Sequence, residues 1–173
     1  MADGRRHETV NLLVLGGLTA AWFYNRSLGR QLLPDELFPL PARISFVVAY
    51  LVGTFLVTPD LDLANRSVRA KKHWGLLGFL WVPYGVIFRH RGLSHSWWLG
   101  PLTRLLYMLV LLLALLEFSQ VLAGWLGYEL ELRADLYGDW GWLLAGSVAG
   151  YYLSQWMHLM LDGLLLKRPK RLR

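Results

Sequence analysis

Four long apolar segments divide this chain and limit the folds open to it. They lie at about residues 9–26, 41–58, 99–123 and 142–166. A helix that crosses the hydrocarbon layer of a membrane needs roughly 20 apolar residues, with a lower limit of about 17. The segments therefore predict an all-α, polytopic membrane protein in which residues 1–173 form a single membrane domain with four transmembrane helices.

A fifth apolar stretch, at about residues 74–88, is shorter and broken by Gly75, Gly78, Pro83 and Gly85. A full crossing at this point would place the two termini on opposite sides of the membrane. Because the stretch is short and interrupted, an interfacial or re-entrant segment is the better prediction.

The distribution of positive charge gives the orientation of the four predicted crossings. Most Lys and Arg residues fall on one side of such a bundle, and the positive-inside rule assigns that side to the cytoplasm. Both termini are then cytoplasmic. The net charge of +6 fits these basic flanks, so we expect no nucleic-acid partner. The chain has no Cys, which excludes disulfides and thiolate metal sites.

The candidate metal ligands are scattered along the sequence but lie at the same side of the predicted bundle. They are His7, Asp60, Asp62, His90, His95, His158 and Asp162. Four crossings would gather these side chains into one layer at the cytoplasmic interface. Such convergence of imidazoles and carboxylates predicts a metal site with nitrogen and oxygen donors.

The pair His90 and His95 is the strongest local signal. Residues five apart do not share a helix face. A turn at Gly92, followed by a helix that starts with Ser94 as its N-cap, would bring the two rings together. The alternative is a basic interfacial turn that contains incidental histidines.

Two further pairs add carboxylates. Asp60 and Asp62 follow an apolar helix, and in extended geometry both would point to the same side. His158 and Asp162 are four apart, so they share a helix face. Asp162 either binds a metal directly or orients the ring of His158. The alternatives are a solvated helix end for the first pair and a plain hydrogen bond for the second.

The first apolar helix contributes one more candidate. His7 precedes the apolar run, and Asn11 lies one turn later on the same face. A lone His near a terminus is usually solvated, so the case for His7 depends on the shared layer.

In the fourth segment, Gly146 and Gly150 are small residues four positions apart. This spacing favours close packing between helices in a membrane.

Four motifs resemble a known protein family. They are Gly4-Arg5-Arg6-His7, Pro59-Asp60-Leu61-Asp62, His90-Arg91-Gly92-x-x-His95-Ser96 and His158-x-x-x-Asp162. Together they resemble the LexA-regulated inner-membrane metal-dependent hydrolases and, more closely, the related uncharacterised metal-binding membrane proteins of bacteria. The resemblance runs in order over almost the whole chain and implies a metal-dependent hydrolase in the bacterial inner (cytoplasmic) membrane. Leu63 stands where relatives often carry a His.

These observations predict a hydrolase that uses a metal-activated water. Seven ligands exceed one tetrahedral site and suit two divalent ions, Zn, Mn or Fe, roughly 3.5–4 Å apart. Asp60 or Asp162 would accept the proton, and Arg91 would neutralise a phosphate or carboxylate group. The expected partners are membrane lipids and an amphiphilic substrate, such as a lipid or another phosphoester. The alternative is a non-catalytic metal-binding or metal-handling membrane protein.

Overall fold

A computed structural model describes residues 4–30, 34–63, 68–88, 93–129 and 138–163. Within these ranges every regular element is helical, which confirms the all-α prediction. The α-helices are α1 (Gly4–Ser27), α2 (Leu40–Phe55), α3 (Arg69–His73), α4 (Val82–Ile87), α5 (Leu99–Trp125) and α6 (Trp140–Leu161). Three 3-10 turns, at Pro59–Asp62, Gly75–Trp81 and Leu93–His95, connect them.

The closest helix pair is α2 with α6, which pack through small residues. A methyl group added at Gly146 would lie 2.1 Å from the carbonyl oxygen of Ala42, and one at Gly150 would lie 2.1 Å from that of Phe46. Only a hydrogen fits at these two positions, so the backbones approach closely, as the spacing of the two glycines predicts. This contact fixes the end of α6 beside the end of α2.

Helix α1 joins this pair through a buried polar contact. The amide nitrogen of Asn11 donates to the hydroxyl of Thr54 (3.1 Å) and to the carbonyl oxygen of Ser154 (3.2 Å). The hydroxyl of Tyr50 donates to the carbonyl oxygen of Asn11 (3.0 Å). Both His7 and Asn11 are buried, which agrees with their predicted common face. The contact holds the first turns of α1 against α2 and α6.

The stretch at residues 74–88 forms the second 3-10 turn and α4 instead of one long helix. Trp81 and Tyr84 are fully buried and pack with Val57 and Leu61 in the main apolar core. Neither short element is long enough to cross a membrane. The local structure is therefore compatible with the predicted interfacial segment.

Helix α5 contacts the rest of the described structure mainly through its first turns. Gly100, Pro101 and Arg104 are buried, whereas most of the apolar side chains that follow are exposed. At 27 residues, the helix is about 40 Å long. Much of α5 therefore extends as an apolar rod without packing partners among the described residues.

Two segments of the described chain are long and apolar enough to cross a membrane, Leu40–Asp62 and Leu99–Trp125. Helices α1 and α6 do not meet that standard, since polar residues such as Asn11 and Gln155 interrupt them. Two such helices are weak evidence of a membrane protein, and the arrangement of four crossings remains a prediction.

Some boundaries differ from the predicted crossings. The second helix ends at Phe55 rather than at residue 58, because Pro59, which lacks an N–H, begins a separate 3-10 turn. The fourth ends at Leu161 rather than at residue 166, with Asp162 as its C-cap. Asp162 therefore lies just beyond the last helical turn of α6, as Asp60 and Asp62 lie beyond α2, and tertiary contacts direct these side chains.

Candidate metal centre

Four segments of the chain meet at one end of the helices, where their His and Asp side chains lie close together. The contributing positions are the first turn of α1, the 3-10 turn after α2, the 3-10 turn before α5 and the end of α6. We call the side chains that meet there the His–Asp cluster: His7, Asp60, His95, His158 and Asp162. The predicted convergence of distant residues is therefore present in the described structure.

The first half of the cluster consists of His7, His158 and Asp162. The Nε2 atom of His7 lies 3.4 Å from Oδ1 of Asp162, and Nε2 of His158 lies 3.8 Å from Oδ2 of the same carboxylate. The two imidazole rings are stacked, with centroids 3.7 Å apart and planes 7° from parallel. One ligand atom from each of the three residues lies within 4.8 Å of the others. This spacing is compatible with one bound cation.

The second half consists of Asp60, His95 and Asp162, whose ligand atoms also lie within 4.8 Å of one another. The Nε2 atom of His95 is 3.9 Å from Oδ2 of Asp162. Oδ1 of Asp60 is 3.7 Å from Nε2 of His158, which links the two halves. Asp162 belongs to both groups and could bridge two cations.

Several atoms of the cluster are buried without the hydrogen bonds that burial normally requires. Nδ1 of His7, Nε2 of His158, Oδ1 of Asp60 and Oδ1 of Asp162 form no hydrogen bond within the described part of the chain. A buried polar atom left in this state costs roughly 1–3 kcal/mol. A divalent cation would accept electron pairs from such atoms, so the donor set fits a metal.

Asp62 lies behind His95 instead of joining either group. Its Oδ2 atom is 3.2 Å from Nδ1 of His95 and accepts a hydrogen bond from the hydroxyl of Ser94. A carboxylate on the far nitrogen of an imidazole orients the ring and makes it a better ligand. The structure thus favours an orienting role for Asp62 over the direct contact predicted from the sequence.

Two local predictions about this region are wrong. Asp60 and Asp62 lie in a 3-10 turn and not in extended backbone, so they point to different partners. Ser94 does not cap a helix, because α5 begins five residues later and the Ser94 hydroxyl binds Asp62. In both cases a tertiary contact determines the local geometry.

His90 and Arg91 lie outside the described residues. The predicted approach of His90 to His95, and the predicted contact of Arg91 with substrate, both stay predictions.

A buried arginine supports the cluster and was missed by the sequence analysis. Arg104 is fully buried; it donates to the carbonyl oxygen of Ser94 (2.9 Å) and to Oε1 of Gln155 (3.0 Å). Gln155 in turn donates to the carbonyl oxygen of Gly53 (3.1 Å). These bonds tie the turn that carries His95 to α6 and α2. The available signal was a basic residue in an apolar helix, which usually indicates a buried partner.

The short helix α3 lies over the cluster and contributes charged contacts. Arg69 and His73 both pair with Glu8 of α1, and the His73 contact is 3.0 Å. Burial lowers the pKa of Lys71, while the negative charge of Asp62 opposes that shift. The charges around the cluster are therefore already partly balanced by protein groups.

Comparison with known proteins gives the family. A sequence profile described as Uncharacterized metal-binding protein (DUF2227) matches residues 2–172. The chain belongs to this family. The DUF2227 description agrees with a metal-binding function and with the His–Asp cluster, but it carries no activity and does not show a relation to the LexA-regulated hydrolases.

One curated relative of this DUF2227 protein is an "Uncharacterized protein" of Aquifex aeolicus (strain VF5), 44% identical over 72 residues. The match covers 42% of this chain and 50% of the relative, so the chain spans half of that protein's length. No solved structure matches.

Proposed function

We propose that this DUF2227 protein is a membrane-embedded, metal-dependent hydrolase related to the LexA-regulated inner-membrane hydrolases. The observation that carries the proposal is the His–Asp cluster, in which distant residues meet in a buried place with unsatisfied donor atoms. If these side chains only packed together without a ligand, several of their polar atoms would stay buried without a hydrogen bond, which costs free energy. A bound metal ion would coordinate these atoms and so remove that cost.

The two overlapping groups support two ions rather than one. Asp162 is shared, with His7 and His158 on one side and Asp60 and His95 on the other. Paired metal ions that share a carboxylate are common in enzymes that hydrolyse phosphoesters. Nitrogen and oxygen donors suit Zn, Mn or Fe, and the sequence contains no Cys thiolate that would narrow the choice of metal.

The metal would lower the pKa of a water molecule and stabilise the negative charge that develops on the substrate. Asp60 is the better candidate for accepting the proton, because its side chain is 14% exposed against 6% for Asp162. Asp60 also lines a small cavity, together with His7, Thr58 and His158, through which water could reach it. Asp162 belongs to both ligand groups, so its main role would be to bind the metal ions. Arg91 would bind the phosphate or carboxylate of the substrate.

The exposed surface of α5 supports placement in a membrane. Leu109, Leu113 and Leu122 are among its many apolar side chains that are between two-fifths and two-thirds exposed. Each Leu left in water forfeits roughly 1.5–3 kcal/mol relative to burial. Lipid would cover this surface, and α1 and α6 would cross beside α2, with the cluster at the cytoplasmic interface of the inner membrane. An amphiphilic substrate could then reach the site from the lipid.

The test of the hydrolase is turnover by the full chain, purified in detergent and loaded with Zn or Mn. The substrates are lipid and water-soluble phosphoesters. We expect Asp60→Asn to lower turnover by about 100-fold or more, because Asp60 would serve both as a ligand and as the proton acceptor, and general bases alone contribute roughly 10²–10⁴. Asp139→Asn, at an exposed position before α6, should behave like the unmodified protein.

Two results would overturn the catalytic proposal. One is equal turnover by Asp60→Asn and the unmodified protein, which would point to a contaminating enzyme. The other is tight metal binding with no turnover of any substrate, which would favour the non-catalytic metal-binding alternative.

A further inference from the structure

A second cavity lies beside the His–Asp cluster, between the start of α1 and the end of α6. Its volume is about 460 Å³, and it is lined by Arg5, Arg6, Thr9, Val10 and Leu161. Ligand sites usually have volumes of roughly 300–1,000 Å³. We call this cavity the arginine cleft.

Among the described residues, no acidic side chain pairs with the arginines of the cleft. The first turn of α1 contains no acidic residue, and neither Arg5 nor Arg6 forms an ion pair with any residue in the described ranges. Glu8, two residues after Arg6, is already paired with Arg69, and Asp3 lies outside the described residues. Two adjacent guanidinium groups can bind a phosphate through several charge-assisted hydrogen bonds. The cleft therefore has the charge of a phosphate site.

Two of the three other lining residues are apolar. Val10 and Leu161 line the cleft next to the two arginines; Val10 is partly buried and Leu161 is exposed. A free phosphate ion would gain nothing from these walls, whereas a hydrocarbon chain joined to a phosphate would cover them. The combination fits an amphiphile better than a small anion.

The cleft lies at the same two helix ends as two of the metal ligands, the start of α1 and the end of α6. Arg6 precedes His7, and Leu161 precedes Asp162, whose carboxylate lies 3.4 Å from the His7 ring. The cleft and the His–Asp cluster therefore share the ends of α1 and α6, although no cluster residue lines the cleft itself.

We propose that the arginine cleft binds the phosphate headgroup of a phospholipid, with one hydrocarbon chain along Val10 and Leu161. This inference rests on the proposed function and names its substrate class, a phosphate-bearing membrane lipid. Arg5 and Arg6 fix the headgroup, and the apolar walls select a lipid over a soluble phosphoester.

The experiment measures equilibrium binding of radiolabelled long-chain phosphatidic acid to the detergent-purified full chain. The double variant Arg5→Gln/Arg6→Gln should bind this lipid about tenfold more weakly or worse, because it loses charge-assisted hydrogen bonds. The matched control, Arg26→Gln/Arg30→Gln, removes the same charge from exposed positions at the other end of α1 and should bind as the unmodified protein does.

Equal weakening by the two double variants would overturn the proposal, because it would show a general attraction to anionic lipid. Displacement of the lipid by inorganic phosphate at equal concentration would also overturn it in favour of a small-anion site. Metal content is measured in the same samples. If Arg5→Gln/Arg6→Gln contains the normal amount of metal and binds the lipid as well as the unmodified protein does, only the proposal for the arginine cleft is wrong. If the unmodified protein contains no metal but its lipid binding still depends on Arg5 and Arg6, only the proposed metal-dependent hydrolase is wrong.

Discussion

Asp62 is the predicted ligand whose position in the described structure departs most from the prediction. It is buried, accepts a hydrogen bond from Ser94 and lies 3.2 Å from Nδ1 of His95. If it orients His95, Asp62→Asn should weaken metal affinity by about 10–100-fold without changing the number of ions bound at saturation. A chelator-competition titration measures both quantities, with Asp35→Asn at the opposite end of the molecule as the control. Loss of an ion at saturation would instead identify Asp62 as a direct ligand.

The sequence showed which residues belong to the cluster better than it showed how their side chains are arranged. His7, Asp60, His95, His158 and Asp162 could be found because ionisable groups beside apolar helices are costly without a partner. The different positions of Asp60 and Asp62 could not be predicted, since they depend on a 3-10 turn and on a contact with Ser94. Arg104 was missed because its partners are distant in sequence.

Among the elements, the contact between α2 and α6 positions the site, and it leaves no space at its glycines. Gly150→Ala would place a methyl group 2.1 Å from the carbonyl oxygen of Phe46, so the helices must separate. We expect a loss of about 1–3 kcal/mol in the free energy of unfolding, measured by denaturant titration in detergent. Gly141→Ala lies in the same helix with nothing within 4 Å, and it should be neutral or stabilising by up to about 1 kcal/mol. If Gly150→Ala and Gly141→Ala changed the free energy of unfolding equally, the close packing of α2 against α6 would be wrong.

The helices themselves were easier to predict from the sequence than the residues at which they end. The long apolar runs and the four-residue spacing of Gly146 and Gly150 can be read directly from the sequence, and the helices and their close packing appear as predicted. The ends of α2 and α6 depend on Pro59 and on contacts of Asp162 with other helices. Those contacts exist only in the folded chain.

For the whole molecule, the prediction is four crossings with both termini in the cytoplasm. The chain has no native Cys, so single Cys residues can report their side of the membrane. Reagents that do not cross the membrane should label Ser27→Cys and Tyr128→Cys in intact cells, but Ala2→Cys and His73→Cys only after permeabilisation. If only the two most apolar segments cross, Ala2→Cys should instead behave like Tyr128→Cys. That pattern would rule out the four-helix arrangement.

The most direct test of the metal site is elemental analysis of the full chain, purified in detergent, with and without Asp162→Ala. Because Asp162 is shared by both ligand groups, we expect the unmodified protein to hold two divalent ions and the variant to lose both. Asp139→Ala, an exposed acid at the start of α6, should keep them. An Asp162→Ala protein that retains the metal content of the unmodified chain would contradict the account.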